Sequence, residues 1–232
     1  MDEEEQSYLN YLPKTEKELR QYFLNKLYPF QLKWATSTVV NISFMDQTYN
    51  DDPILKYFLQ RFPDIYLIMY YPIFNIKNAP VDGEIILISP FYIEIIYILE
   101  KQTPSLIIAS NERTWTVSLD EKQKQILSPL IALRRTEQIV RSVLKTEEIK
   151  FPITKSVISR TNDIVYDEEP YNTNFVGKRY YKDWFQRKRQ ISSPLKNIQL
   201  RVIETLLKYC LSNYVKRPEW VEDKQFFVEQ DE

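Results

Sequence analysis

The chain has 232 residues, a net charge of −1 and 44% hydrophobic residues, which is enough for one elaborated domain with its own core. The absence of histidine excludes histidine-based catalytic triads and Cys/His zinc sites. With only two glycines, the chain can form neither a P-loop nor a Rossmann glycine fingerprint. Enzymatic chemistry would therefore rest mainly on carboxylates, lysines, tyrosines or a bound hard cation such as Mg²⁺.

Charge and cysteine usage indicate the compartment and the kind of partner. A single cysteine excludes an intramolecular disulfide and favours a reducing compartment. The acidic N-terminus has the wrong sign for a signal peptide, and no apolar run reaches the roughly 18 residues of a membrane span. We therefore expect a cytoplasmic protein without membrane contact. Because the net charge is near zero, any binding to nucleic acid must depend on a local basic patch.

The N-terminal part is predicted to be a helical extension over residues 1–49. Apolar residues at helical spacing predict a helix over 15–27, which Pro29 is expected to end. Residues 31–40 then form either a second short helix or an extended strap.

The middle of the chain is predicted to be an α/β domain with a central mixed sheet. Asp52 and Pro53 provide the N-cap and first turn of a helix that extends through Arg61. Apolar and β-branched runs predict strands at 65–74, 85–88, 92–100 and 104–109, and a hairpin arm at 111–117. A long helix over 128–144 and a late strand at 156–159 follow. With the strand at 104–109 and the arm at 111–117 left out, the order is helix, three strands, helix, strand.

Two acids interrupt the most apolar of these strands. Unbroken apolar strands are usually covered on both faces, and a buried carboxylate is costly unless it is paired or bound to a metal. Glu94 and Glu100 therefore need partners. We expect each to form an ion pair on a half-exposed face, with Lys101, Arg134 and Arg135 as candidate partners.

The two central strands carry a resemblance to a known family. An acid, four apolar residues, Ser-Pro and a second apolar strand resemble the core of the nuclease-related domain (NERD) family, a branch of the PD-(D/E)xK nuclease superfamily. Glu84 lies six residues before Pro90, as in that family. The resemblance covers roughly residues 50–160, within a predicted core domain of residues 50–165, and implies the αβββαβ core of a restriction-endonuclease-like fold. The family's Glu-x-Lys pair, however, falls on Tyr97 and Leu99.

The resemblance therefore implies a nuclease scaffold that is catalytically degenerate and needs no cofactor. Alternate strand residues point to opposite faces, so Tyr97 and Leu99 share the face that should meet a metal, and that face carries no carboxylate. Such a protein would act as a binding module for DNA, RNA or a protein partner.

In an alternative interpretation, the protein is still an active nuclease. A β-bulge could slip the strand by one residue and bring Glu100 to the site, with Lys101 beside it. The resemblance then implies a Mg²⁺-dependent nuclease with Glu84, Glu100 and Lys101 as catalytic residues. Its metal ligands would be Glu84, Asp52 and Glu100, although simple capping of a helix is the ordinary role of Asp52.

Residues 166–232 are predicted to be a basic and aromatic helical extension. Residues 178–189 contain six basic side chains and four aromatics. They could neutralise phosphates and stack on bases, or the aromatics could dock the segment while the charges face water. The candidate nucleic-acid contacts are Arg134, Arg135, Arg141, Lys178, Arg179, Arg187, Lys188 and Arg189. A third alternative is a structural or oligomerising protein that uses the helix over 194–211 to form a homodimer.

Overall fold

The computed structural model describes residues 13–36, 41–101, 105–119, 122–212 and 214–216. The chain divides into two units, Met1–Arg61 with Ser212–Glu232, and Phe62–Leu211. The second unit continues past residue 165, where the sequence predicts a boundary. No helix of the described residues is long and apolar enough to cross a lipid bilayer.

The described residues form five α-helices and thirteen strands. The helices are α1 Glu16–Thr36, α2 Pro53–Arg61, α3 Pro129–Thr146, α4 Lys178–Arg189 and α5 Asn197–Lys208. The strands are β1 Asn41–Ser43, β2 Leu67–Met69, β3 Ile73–Ile76, β4 Ala79–Asp82, β5 Ile85–Ile88, β6 Ile93–Ile98, β7 Leu106–Ile108, β8 Thr114–Leu119, β9 Lys122–Leu127, β10 Ile153–Ile158, β11 Asp163–Val165, β12 Thr173–Val176 and β13 Tyr214–Lys216.

In the first unit, α1 continues through Pro29 to Thr36, so the prediction that this proline ends the helix is wrong. An interior proline costs a helix about 3 kcal/mol. Burial of Tyr28 and Leu32 on either side of Pro29 opposes that cost. The Tyr28 hydroxyl also donates to the backbone carbonyl of Tyr49 at 2.6 Å. Residues 37–40, the end of the predicted second helix or strap, lie outside the described part of the chain.

The capping prediction for Asp52 is confirmed. Its Oδ1 accepts hydrogen bonds from the backbone N–H groups of Ile54 at 2.8 Å and Leu55 at 3.0 Å. The helix that follows runs from Pro53 to Arg61, as predicted. β1 and β13, which also belong to the first unit, pair antiparallel.

The second unit contains a five-stranded mixed sheet, which confirms the predicted α/β fold class. The strand order is β12-β10-β6-β5-β2. β6, β10 and β12 are parallel, whereas β5 pairs antiparallel with both β6 and β2. In chain order, α2 of the first unit precedes β2, β5, β6, α3 and β10; with β3, β4 and β7–β9 left out, this is helix, three strands, helix, strand.

Both faces of the central strand β6 are covered by helices. Ile95 of β6 pairs with Lys155 of β10, and the Lys155 side chain meets Glu137 of α3. Glu94 points the opposite way and meets Trp184 of α4. α3 therefore covers the odd-numbered face of β6, and α4 covers the even-numbered face.

The predicted strand at 65–74 is divided between two sheets. β2 ends at Met69, and the backbone turns at Tyr71, whose φ is 46°. Pro72 follows, and Ile73 begins a separate hairpin of β3 with β4. The turn through Tyr71 and the proline after it explain why one apolar run yields two strands.

A smaller sheet has the order β11-β7-β8-β9. β7 and β8 correspond to the predicted strand at 104–109 and arm at 111–117, although residue 104 itself lies outside the described residues. β9 was not predicted, because its sequence KQKQIL is largely polar and exposed. It pairs along β8, whose Trp115 is fully buried.

Gly177 joins β12 to α4 at a point where two backbones come close together. A Cβ at this position would lie 2.6 Å from the backbone nitrogen of Ile164. We therefore expect Gly177→Ala to destabilise the fold by about 1–3 kcal/mol through overpacking, because a backbone atom cannot move aside as a side-chain end can. Chemical denaturation measures this, with the exposed neighbour Lys178→Ala as the matched control. Equal stability of the two variants would contradict the expectation.

Candidate functional site

Glu84 lies immediately before β5, facing Tyr97 across the β5–β6 ladder. Ile85 pairs with Ile96, so the next step of the ladder sets Glu84 opposite Tyr97. The backbone N–H of Glu84 donates to Thr136 Oγ1 of α3 at 3.1 Å. Burial raises the pKa of Glu84, and the nearby Arg135 opposes this rise.

Tyr97 occupies the position where the resemblance implies a carboxylate. Burial raises the pKa of the Tyr97 hydroxyl, and the charge of Glu84 raises it further. The ladder is regular: β6 pairs with β5 over residues 93–96 and with β10 over residues 93–98. The bulge that the active alternative requires is thus not present over residues 93–98.

Glu100 and Lys101, the other two proposed catalytic residues, follow the end of β6. Arg160 binds Glu100 through two contacts, with its Nη2 2.9 Å from Oε2. The hydrogen bond from Arg160 is the largest cause of the lowered pKa of Glu100. Lys101 is exposed, and its backbone N–H donates to Asn162 Oδ1 at 2.8 Å. The predicted partners of Glu100 are thus wrong, and its partner is Arg160.

The described residues contain no group of three acids, histidines or cysteines that could hold a metal ion. Asp52, the remaining proposed metal ligand, uses Oδ1 to cap α2. Cys210 is half-buried, and burial raises the pKa of its thiol to about 11, so a thiolate nucleophile is not available there at neutral pH.

A lysine that the sequence analysis missed lies on the same face as Tyr97. Lys155 of β10 is buried and forms an ion pair with Glu137, which also accepts from Arg141 Nη2 at 2.8 Å. Burial opposes ionisation of Glu137, but the bonds to Lys155 and Arg141 outweigh it and lower its pKa. The sequence signal was a lysine inside the apolar strand ITKSVI.

Glu94, on the opposite face of β6, is the most buried acid of the described residues at 1% exposure. Its Oε1 accepts from Ser156 Oγ at 2.5 Å and from Trp184 Nε1 at 3.1 Å. Its Oε2 forms an ion pair with Lys188. The predictions of a half-exposed face and of Lys101, Arg134 or Arg135 as partner are therefore wrong for Glu94.

Lys188 is itself buried, at 8% exposure. Its ammonium donates to the Tyr92 hydroxyl at 2.7 Å and lies 5.2 Å from the centre of the Trp184 ring. Burial alone would lower the pKa of Lys188, but Glu94 and Tyr92 outweigh burial, so the pKa is raised and the ammonium stays charged. Lys188 therefore cannot contact nucleic acid as an exposed cation.

Three of the four aromatics of α4 follow the predicted docking alternative, whereas Tyr180 and the cations other than Lys188 are exposed. Trp184 is buried, while Tyr181 and Phe185 are half-buried. Residues at i, i+4 and i+11 share one side of a helix, so Lys178, Lys182 and Arg189 form an exposed basic stripe. The exposed Arg179 forms an ion pair with Asp163 at 3.2 Å.

The candidate arginines of α3 are separate from this stripe. Arg134, Arg135 and Arg141 are exposed on the helix that covers the odd-numbered face of β6. Since α4 covers the even-numbered face, the eight predicted nucleic-acid contacts lie on two helices on opposite sides of the sheet.

A cavity of about 530 Å³ lies beside the buried ion pair. Lys188 and Trp184 of α4 line it, together with Asn174 of the edge strand β12. Tyr180 and Arg187 also line it; they are seven residues apart and therefore share a second side of α4. The cavity thus combines aromatic rings with cationic groups.

Comparison with known proteins gives no relative. No protein-family model matches the chain, and no curated protein or solved structure matches it either. The function must therefore be argued from the chain's own residues.

The carboxylate of Glu84 should lower the stability of the folded protein at neutral pH. The pKa of Glu84 is raised in the folded protein, so the carboxylate ionises more readily in the unfolded chain. The fold therefore loses stability as the pH rises above the pKa that Glu84 has in the unfolded chain. We expect Glu84→Gln to raise the thermal midpoint at pH 7. The gain should shrink as the pH falls through about 4.3, the ordinary pKa of glutamate. Thermal unfolding at several pH values measures it, with the exposed Glu112→Gln as control; a lower midpoint for Glu84→Gln at pH 7 would contradict the expectation.

The buried pair should show strong coupling. Lys188→Met leaves the Glu94 carboxylate buried without its cation, which should cost about 3–5 kcal/mol of unfolding free energy. Adding Glu94→Gln should recover a large part of that loss. Urea denaturation of the two single variants and the double variant gives the coupling, and Lys182→Met, on the exposed side of α4, is the control. Additive losses in the double variant would show that the pair is not coupled.

Proposed function

We propose that this chain is a nuclease-related scaffold of the NERD type without a working metal site, and that it binds single-stranded nucleic acid through α4. The observation that carries the first half is that the register of β5 and β6, continued by one residue, places Tyr97 opposite Glu84, and that the charge of Glu84 acts on Tyr97. A two-strand metal site needs a second carboxylate opposite the first, and a phenol cannot replace it as a hard-cation ligand.

The topology supports the scaffold. With β3, β4 and β7–β9 left out, the chain order is helix, three strands, helix, strand, which is the order that the resemblance implies. On the face of Tyr97, the buried lysine is Lys155, and its ion pair with Glu137 leaves it poorly placed to activate water.

The exposed side of α4 supports the binding half. Lys178, Lys182 and Arg189 project from one side of a helix that the buried Glu94–Lys188 pair anchors to the sheet. Such a row of cations can neutralise successive phosphates of a strand. The rings of Tyr181 and Phe185 lie beside this row, with their planes 9° apart.

Salt dependence tests the binding. We expect fluorescence anisotropy to show that a labelled single-stranded oligonucleotide binds more weakly as salt rises. The triple variant Lys178→Gln, Lys182→Gln, Arg189→Gln should reduce the slope of log affinity against log salt by about 2, from roughly 0.7 per phosphate contact on a single strand. The control removes three exposed cations elsewhere, through Lys122→Gln, Lys124→Gln and Lys150→Gln. Equal slopes for both triple variants would remove α4 as the interface.

Cleavage is tested on the same protein. Incubation with plasmid and single-stranded DNA in the presence of Mg²⁺ or Mn²⁺ should give no products. Cleavage that Glu84→Ala abolishes would overturn the degenerate-site half of the proposal and favour the active alternative.

A further inference from the structure

We propose that the cavity between α4 and β12 accepts one nucleotide, with its base against Tyr180 and its phosphate at Arg187. This inference rests on the proposed function, because it assigns a base-binding pocket next to the phosphate-binding stripe. The same chemistry could come from a free mononucleotide or from one unit of a strand.

The size and walls of the cavity fit a nucleotide. Ligand pockets usually have volumes of 300–1,000 Å³, and this one has about 530 Å³. Tyr180 is 58% exposed, so its ring can meet a base. Tyr166 forms part of the wall; burial raises the pKa of its hydroxyl, and the neighbouring Glu169 raises it further. Every base has a flat face that stacks on such rings.

The cations of the cavity fit a phosphate. Arg187 is exposed at its rim, where a guanidinium can bind a phosphate through two hydrogen bonds. Lys188 is a charged group in its wall. Glu94 and Tyr92 hold its ammonium, so Arg187 is the cation that binds the phosphate directly.

Two further groups can bind the edge of a base. The Asn174 amide is exposed on β12 and lines the cavity, and an amide can pair with a base through one donor and one acceptor. Glu169 also lines it, with Oε1 accepting from the backbone N–H of Phe175 at 3.0 Å. A carboxylate held in this way can accept from an exocyclic amino group. A simple anion would use the cations but neither the rings nor these edge-binding groups, so a nucleotide fits the whole lining better.

The test compares oligonucleotides with and without bases. An abasic strand of the same length keeps the phosphates, so it should bind wild-type protein more weakly than the base-containing strand by about five- to a hundred-fold. Asn174→Trp fills the cavity from an exposed strand position and should abolish this difference. Tyr180→Ala should reduce it, whereas Tyr180→Phe, which keeps the ring, should preserve it. Lys182→Gln, outside the cavity, should weaken both strands alike.

The outcomes separate this inference from the proposed function. Equal, salt-dependent binding of both strands by wild-type protein, or full base preference in Asn174→Trp, overturns the pocket and leaves the α4 interface standing. If neither strand binds, the proposed function fails, and titration calorimetry with 5′-mononucleotides decides the cavity alone. Mononucleotide binding that Asn174→Trp removes supports a free-nucleotide site. No mononucleotide binding in that case overturns the inference.

Discussion

The ion pair between Glu94 and Lys188 determines how the even-numbered face of the sheet is built. A carboxylate at 1% exposure costs several kcal/mol unless a cation and hydrogen bonds compensate it. Lys188, Ser156 and Trp184 provide that compensation, and two of the three belong to α4. The helix must therefore dock with these two residues facing β6. Helical spacing then directs its basic stripe to solvent and Tyr180 and Arg187 to the cavity.

On the odd-numbered face, by contrast, the carboxylate has no such buried cation as its partner. Glu84 is half-buried and faces Tyr97 instead of a lysine, and burial raises its pKa because Arg135 compensates it only in part. The lysine on this face, Lys155, is held by Glu137. On this face, Glu84 is therefore compensated only in part by Arg135, and Lys155 attaches α3 to the sheet through Glu137.

The sequence predicts those parts of the fold in which local pattern and tertiary packing agree. α2, β5, β6 and α3 carry clear periodicity or long apolar runs, and each was predicted close to its observed bounds. α1 differs because packing of Tyr28 and Leu32 outweighs the local effect of Pro29. β9 was missed because a polar strand at the edge of a sheet has no apolar face to reveal it.

At the candidate site too, the sequence predicts some features and not others. Strand parity correctly separated Glu94 from Tyr97, because the alternation of side chains is a property of any regular strand. The ion-pair partners were not predictable by inspection of neighbours. Arg160 is 60 residues from Glu100, and Lys188 belongs to a helix that local composition presents as a solvent-exposed basic segment. Only the three-dimensional docking of α4 identifies which of its six cations is buried.

A hydrophobic pair in place of Glu94 and Lys188 would be no less stabilising in many folds, since burial of charge often cancels the gain from pairing. The pair also fixes where α4 lies along its own axis relative to β6. If α4 slid by one turn, Trp184 would replace Lys188 beside Glu94, and the carboxylate would lose its cation at a cost of several kcal/mol. An apolar contact would tolerate such a shift far better. Because Tyr180 and Arg187 move with the helix, the pair that fixes its position also fixes the distance between the rings and cations of the cavity and the edge strand β12.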